Sequence, residues 1–77
     1  MYALLTTPAH AAAMVASLIG ARASRAVAYD LAGRVVGTLW DRSEGRADVD
    51  TRCLGEGEFV IRWSGAEGER QARLSVA

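Results

Sequence analysis

Apolar and polar residues alternate along the carboxyl-terminal half of the chain, and this period of two predicts β-strands. Two segments, residues 58–64 and 71–76, carry the clearest alternation. Their apolar positions are Phe59, Ile61 and Trp63 in the first segment and Ala72, Leu74 and Val76 in the second. Residues 46–51 also alternate and predict a third, half-buried strand. Turn signals separate the strands at 41–45, 55–57 and 65–68.

The strongest local signal is a hairpin between residues 25–30 and 34–40. Both segments are rich in β-prone residues, and Asp30 and Gly33 lie between them in an Asp-x-x-Gly arrangement. An Asp side chain can start such a turn, and Gly can take the positive φ that follows. The pattern predicts a tight β-hairpin.

The amino-terminal segment gives conflicting signals. Residues 9–23 are rich in Ala, which favours a helix, but they lack the polar stripe of an amphipathic surface helix. Residues 11–20 also resemble the apolar region of a signal peptide, and Ala21-Arg22-Ala23 fits a cleavage site. The absence of positive charge from residues 1–7 argues against that interpretation.

Composition predicts one small domain over residues 1–77. The hydrophobic fraction of 51% argues against disorder, and no apolar segment approaches the length of a membrane helix. All the cations are Arg, they alternate with acids, and the net charge is zero. We therefore expect neither a nucleic-acid partner nor membrane insertion, because both favour clustered positive charge.

No constellation of residues indicates catalysis. His10 is the only histidine and Cys53 is the only cysteine. The sequence therefore has too few of these residues for a His/Cys metal site, a pair of redox-active cysteines or an internal disulfide. Asp48 and Asp50 are two residues apart, as are Glu56 and Glu58. This spacing is typical of solvent-facing strand residues, and the segment lacks the dense, regularly spaced oxygen ligands of a calcium loop. We expect no catalytic residue, no cofactor and no metal.

Four aromatic residues could form a stacking platform, but core packing explains them better in a neutral chain with strand spacing. They are Tyr29, Trp40, Phe59 and Trp63. The alternation predicts a larger buried set, which is Val27, Tyr29, Val36, Leu54, Phe59, Ile61, Trp63, Leu74 and Val76.

Several short motifs, in order along the chain, resemble the type IX secretion C-terminal sorting domain (type A, of Bacteroidota). Residues 29–36 are similar to its D-x-x-G-R hairpin, with Asp30, Gly33 and Arg34 at the motif positions. The segment 48–54 resembles a family strand and its leucine. Gly57 and Phe59 match its G-x-Y/F motif, residues 71–76 match its last strand, and Pro8 matches its P-N-P-A opening without the usual Asn or the first Pro.

The resemblance implies an all-β fold, an immunoglobulin-like antiparallel sandwich of about seven strands. On that alignment residues 13–19 form a strand, against their helical composition. It also implies that the domain follows an upstream cargo domain and is recognised by secretion machinery at the outer membrane. The expected location is the periplasm, in transit to the cell surface or the medium.

A role in recognition places information on exposed groups near the carboxyl end. We expect partner contacts at the last strand, where an edge could be extended by strand addition. The predicted contact residues are Arg73, Leu74, Ser75, Val76 and Ala77, and a solvated Arg73 is an equally simple interpretation. The main alternative function is an immunoglobulin-like structural or adhesive module of a surface protein. A small enzyme is a third, for which the sequence offers no site.

Overall fold

The computed structural model describes residues 3–45 and 48–77, and this part of the chain is mostly β-structure with one short helix. The elements, in chain order, are β1 (Ala3–Thr6), α1 (Ala11–Ile19), β2 (Ala23–Tyr29), β3 (Val35–Asp41), β4 (Gly57–Gly65) and β5 (Gly68–Val76). Short 3-10 turns precede α1 at Pro8–His10 and follow β3 at Arg42–Glu44.

The strands form one sheet in the order β1-β5-β4-β2-β3. The β2–β3, β2–β4 and β4–β5 pairs are antiparallel, whereas β1 runs parallel to β5. The parallel pair follows from α1, which carries the chain from β1 at one side of the sheet to β2 near the other. As a result the last strand, β5, lies inside the sheet with neighbours on both sides.

Residues 13–19 are helical, so the strand expected there is wrong. Alanine has the highest helix propensity of the amino acids, and here this preference prevails. Ala11, Val15 and Ile19 recur every fourth residue on one helical face, and all three are buried. The helix ends at Gly20, whose positive φ of 74° turns the chain and whose N–H donates to the Ala16 carbonyl at 3.1 Å.

The predicted β-rich class is confirmed, but the described residues form a single sheet of five strands where a seven-stranded sandwich was expected. Residues 13–19, which were expected to form a strand, belong to α1, and this helix packs on the sheet where a sandwich would have its second sheet. The described chain is therefore a two-layer structure. One face of the sheet is covered by α1, and we call the opposite face the open face.

The two hairpins expected from turn residues are present. β2 and β3 are joined through residues 30–34, and β4 and β5 through residues 66–67, with Gly65 opposite Gly68. The predicted strand over 46–51 is wrong for its described part. Residues 48–51 form a loop, and Arg46 and Ala47 lie outside the described residues.

The core lies between α1 and the sheet, and it confirms most of the predicted buried residues. Leu54, Phe59, Ile61, Leu74 and Val76 are buried, and Val36 and Trp63 pack against them. The prediction is wrong for β2, where the buried side chains are Ala23, Ala26 and Ala28. Val27 and Tyr29 alternate with these alanines, so they lie on the open face and are only half-buried.

Candidate recognition surface

The loop between β2 and β3 is a fixed turn built by Asp30. Its Oδ1 accepts hydrogen bonds from the Ala32 and Arg34 backbone N–H groups, each at 2.9 Å. The backbone closes the same turn, since Asp30 N donates to the Arg34 carbonyl at 2.9 Å and Gly33 N to the Asp30 carbonyl at 3.0 Å. Gly33 has φ 88°, as the sequence predicts. The D-x-x-G-R motif therefore works through its Asp side chain, its Gly and the backbone of Arg34, whose side chain is exposed.

The other motif positions are also used structurally. Pro8 begins the 3-10 turn that leads into α1, a position where its missing N–H costs no hydrogen bond. Gly57 starts β4 with φ 138°, and Phe59, two residues later, is buried in the core. His10 lies in the exposed turn, where its Nδ1 is 3.0 Å from Thr7 Oγ1.

The predicted contact residues at the carboxyl end divide into three groups. Leu74 and Val76 are core residues, so they are not surface contacts. Arg73 and Ser75 project on the open face, where Arg73 Nη2 donates to Glu58 Oε2 at 2.8 Å and Ser75 Oγ lies 3.4 Å from Glu58 Oε1. Ala77 is exposed, and its N–H donates to the Thr6 carbonyl at 3.0 Å.

The expectation that β5 offers a free edge is wrong, because β1 pairs with it along Arg73–Val76. This pairing is not predictable from the sequence, since β1 has only four residues and lies far from β5 along the chain. The described part of the sheet has its edges at β1 and β3.

The open face carries a regular array of side chains. One row across four strands contains Arg73, Val60, Tyr29 and Val35, and the next contains Gln71, Arg62, Val27 and Thr38. The Arg62 guanidinium carbon lies 5.1 Å from the centre of the Tyr29 ring, a cation–π contact. Arg62 Nε also lies 3.5 Å from Glu69 Oε1, and Arg25 Nε lies 3.9 Å from Asp41 Oδ2. The open face therefore combines a half-buried apolar strip with ion pairs between arginines and carboxylates.

Two shallow concavities of about 400 Å³ each lie on either side of the turn between α1 and β2. Both are bordered by Ile19, Gly20 and Ala21, with Trp63 in the wall of one and Trp40 in the wall of the other. Trp40 is fixed by its indole N–H, which donates to the Ala23 carbonyl at 3.2 Å. Across the rim of the first concavity Arg70 Nη2 lies 3.4 Å from Glu67 Oε2, so its two charges neutralise each other. These walls can hold an apolar side chain.

Cys53 is an exposed free thiol that packs on one side against β3. Partial burial raises the pKa of the Cys53 thiol, and the nearby carboxylate of Asp50 acts in the same direction. A raised pKa lowers the thiolate fraction at neutral pH, which disfavours nucleophilic chemistry.

Across residues 3–45 and 48–77 the acidic, histidine and cysteine side chains form no group of three or more that could hold a metal ion. Helix α1 has nine residues, and none of the helices in the described residues reaches the length and hydropathy of a membrane span. Comparisons of the chain with protein-family models, with curated proteins and with solved structures found no match.

Proposed function

We propose that this chain is a recognition module that directs a larger protein through an export machinery of the type IX kind. The observation that carries the proposal is the use of the motif residues. Four of them occur in the order of the sorting-domain motifs and each has a defined structural part: Asp30 and Gly33 form the β2–β3 turn, Gly57 begins β4 and Phe59 is buried in the core. Because these motif residues build the fold, a partner would recognise other residues, on the open face and in the loops.

In this proposal the partners are secretion proteins at the outer membrane and an upstream cargo domain, and the protein passes through the periplasm. Helix α1 occupies the layer that a second sheet takes in a seven-stranded immunoglobulin-like sandwich. The β2–β5 part would then correspond to the family fold, and the amino-terminal part would be its divergent portion.

The most informative surface for this function is the part of the open face around Arg73. Arg73 and Ser75 of β5 form one hydrogen-bonded group of solvent-accessible polar side chains with Glu58 of β4. A partner with its own charged groups could exchange with this ion pair, because exposed pairs of this kind are weak.

The test is export of a reporter fused in front of residues 1–77, behind a periplasmic signal peptide, in a bacterium with the type IX system. We expect the wild-type fusion to place the reporter at the cell surface. The Arg73→Ala fusion should place less reporter there. Removing residues 74–77 is a poor test, since it deletes buried Leu74 and Val76 and would unfold the sheet.

Arg70→Ala is the matched control. Arg70 is also an exposed arginine of β5 with one ion-pair partner, Glu67, but it lies at the hairpin end of the strand. We expect it to leave export unchanged. A wild-type fusion that stays in the periplasm contradicts the sorting function, and equal losses from both substitutions contradict the role of Arg73.

The second candidate is a structural or adhesive module of a surface protein, which the apolar strip of the open face favours. Val35 is 65% exposed there, and Val27, Tyr29 and Val60 are only half-buried. Such a strip suits packing against another domain. A fusion that remains in the periplasm while the isolated domain binds neighbouring domains of its parent protein would support this candidate over sorting.

A further inference from the structure

The two edges of the sheet differ in how they are protected. The loop that follows β3 gives that strand a further backbone partner, because Asp50 N donates to the Leu39 carbonyl at 2.9 Å. β1 is the other edge, and within the described part of the chain no strand lies on its outer side.

The backbone groups that face outward from β1 can be identified. Ala77 N donates to the Thr6 carbonyl, so Thr6 faces β5. Backbone groups alternate in direction along a strand of a parallel pair, so Leu4 also faces β5, whereas the N–H and C=O of Leu5 point away from the sheet. The Leu5 side chain is 71% exposed on the open face beside Ser75.

Of the features that protect edge strands, β1 has its short length of four residues but no charge, proline or bulge. Its sequence, Ala3-Leu4-Leu5-Thr6, contains no charged residue and no proline, and its pairing with β5 shows no bulge. Proteins normally guard an exposed edge by keeping the strand short or with Lys, Pro or a bulge, because unpaired N–H and C=O groups accept another strand. An uncovered, uncharged edge with a protruding leucine is suited to strand addition.

We propose that the outer edge of β1 binds an extended, uncharged segment of a partner protein, which adds a sixth strand to the sheet. The segment would exchange hydrogen bonds with the Leu5 N–H and C=O and place an apolar side chain beside the Leu5 side chain. This inference does not depend on export, since it concerns binding by the isolated domain.

The shortness of β1 favours a partner segment over a second copy of this chain. Pairing two four-residue strands would bury far less than the roughly 1,000 Å² that a specific dimer needs. A longer segment can continue past β1 and contact the exposed turn at Thr7, Pro8 and Ala9, which follows it directly.

The experiment uses the 77-residue protein and a capped, fluorescent heptapeptide of alternating threonine and valine as the probe. Amide hydrogen exchange by NMR measures the occupied edge. In the free protein we expect the Leu5 amide to exchange faster than those of Leu4 and Thr6, and saturating peptide to slow it at least about tenfold. The same peptide with every backbone amide N-methylated has no N–H donor on either edge, and it should leave the Leu5 rate at that of the free protein.

Two substitutions separate edge pairing from general stickiness. Leu5→Pro removes the outward N–H without removing a bond to β5, and it should weaken peptide binding at least about tenfold. Leu31→Lys changes another exposed leucine, at the hairpin between β2 and β3, and should leave binding unchanged. Should Leu5→Pro lower the melting temperature markedly, the exchange measurement on the wild-type protein decides alone.

Three results would overturn the proposal. The first is an absence of peptide binding at about 1 mM, and the second is binding that leaves the Leu5 exchange rate unchanged. The third is a stable dimer, seen by sedimentation at micromolar concentration and abolished by Leu5→Pro, which would make a second copy the occupant.

Discussion

Gly37 on β3 and Cys53 in the following loop lie so close that position 37 has no room for a side chain. A Cβ atom at Gly37 would meet Cys53 Sγ at 2.8 Å and Cys53 Cβ at 2.9 Å. The φ angle of Gly37 is not in the left-handed region, so the glycine is required by this contact and not by its backbone conformation. The contact holds the loop against the face of β3 that Gly37 shares with buried Ala28.

Gly37→Ala should therefore lower the free energy of unfolding by about 1–3 kcal/mol, as overpacking does in a close contact. Urea denaturation measures the loss. Gly55→Ala is the control, because a Cβ there meets nothing within 4 Å. In a Cys53→Gly background the cost of Gly37→Ala should shrink by about 1 kcal/mol or more. An unchanged cost in that background would contradict the steric explanation.

The turn at Gly33 provides a test of backbone strain without a steric clash. A Cβ at Gly33 would have open space, but its φ of 88° is one that β-branched residues avoid. We expect Gly33→Val to lower stability by about 1–3 kcal/mol, and the exposed neighbour Ala32→Val to cost much less. Thermal unfolding of the two variants makes the comparison. Equal melting temperatures would remove the argument for a fixed turn.

The sequence predicts those parts of this fold that local interactions determine. The turn at Asp30 and Gly33 is set within five residues, and the alternation in β4 and β5 identifies their buried face directly. The candidate surface follows only in part: Arg73 and Ser75 lie on the open face as the alternation implies, where they are half-buried, but the ion pair with Glu58 depends on the register of β4 against β5.

Non-local packing decides what the sequence does not reveal. On β2 both faces are apolar, so the alternation of Ala26 and Ala28 with Val27 and Tyr29 does not tell which face α1 covers. The alanines are buried, and they belong to one cluster with Val15 and Ile19 of the helix. β1 is equally hidden in the sequence, since four residues give no period and the strand exists through its pairing with β5.

Phe59 should be among the largest single contributors to stability. Its side chain is 9% exposed in the core cluster beneath α1. Removing a buried aromatic ring costs about 3–5 kcal/mol, a large share of the stability of so small a domain. We expect Phe59→Ala to be mostly unfolded by circular dichroism at 25 °C. Val35→Ala, which truncates an exposed residue, should melt close to the wild type. A cooperative melting transition in Phe59→Ala at the wild-type temperature would contradict the described core.

The Cys53 thiol should react slowly with alkylating reagents in the folded protein. Burial raises its pKa, so the thiolate fraction near pH 8.5 is smaller than in the unfolded chain. The iodoacetamide rate should rise when urea unfolds the protein, and the folded-state pH profile should lie at higher pH. The folded state also holds the thiol proton more tightly, so this group's contribution to stability is present below the ordinary thiol pKa and is lost as pH rises through the folded pKa. Equal rates in the folded and unfolded protein would show that Gly37 does not shield the sulfur.

Arg73 should matter more for recognition than for stability. The guanidinium and the Glu58 carboxylate are 2.8 Å apart, but their side chains are 41% and 47% exposed. At that exposure a salt bridge contributes about 0.2–1 kcal/mol, because water and salt screen the attraction and ordering two long side chains costs entropy. A double-mutant cycle with Arg73→Ala and Glu58→Ala should give a coupling energy in this range, and added NaCl should reduce it.

Arg73→Ala should then keep the wild-type circular dichroism spectrum and nearly the wild-type melting temperature, so a loss of export in the fusion assay would report a lost contact with a partner. A coupling energy well above this range would mean that the pair supports the sheet, and an export defect of Arg73→Ala would then reflect folding.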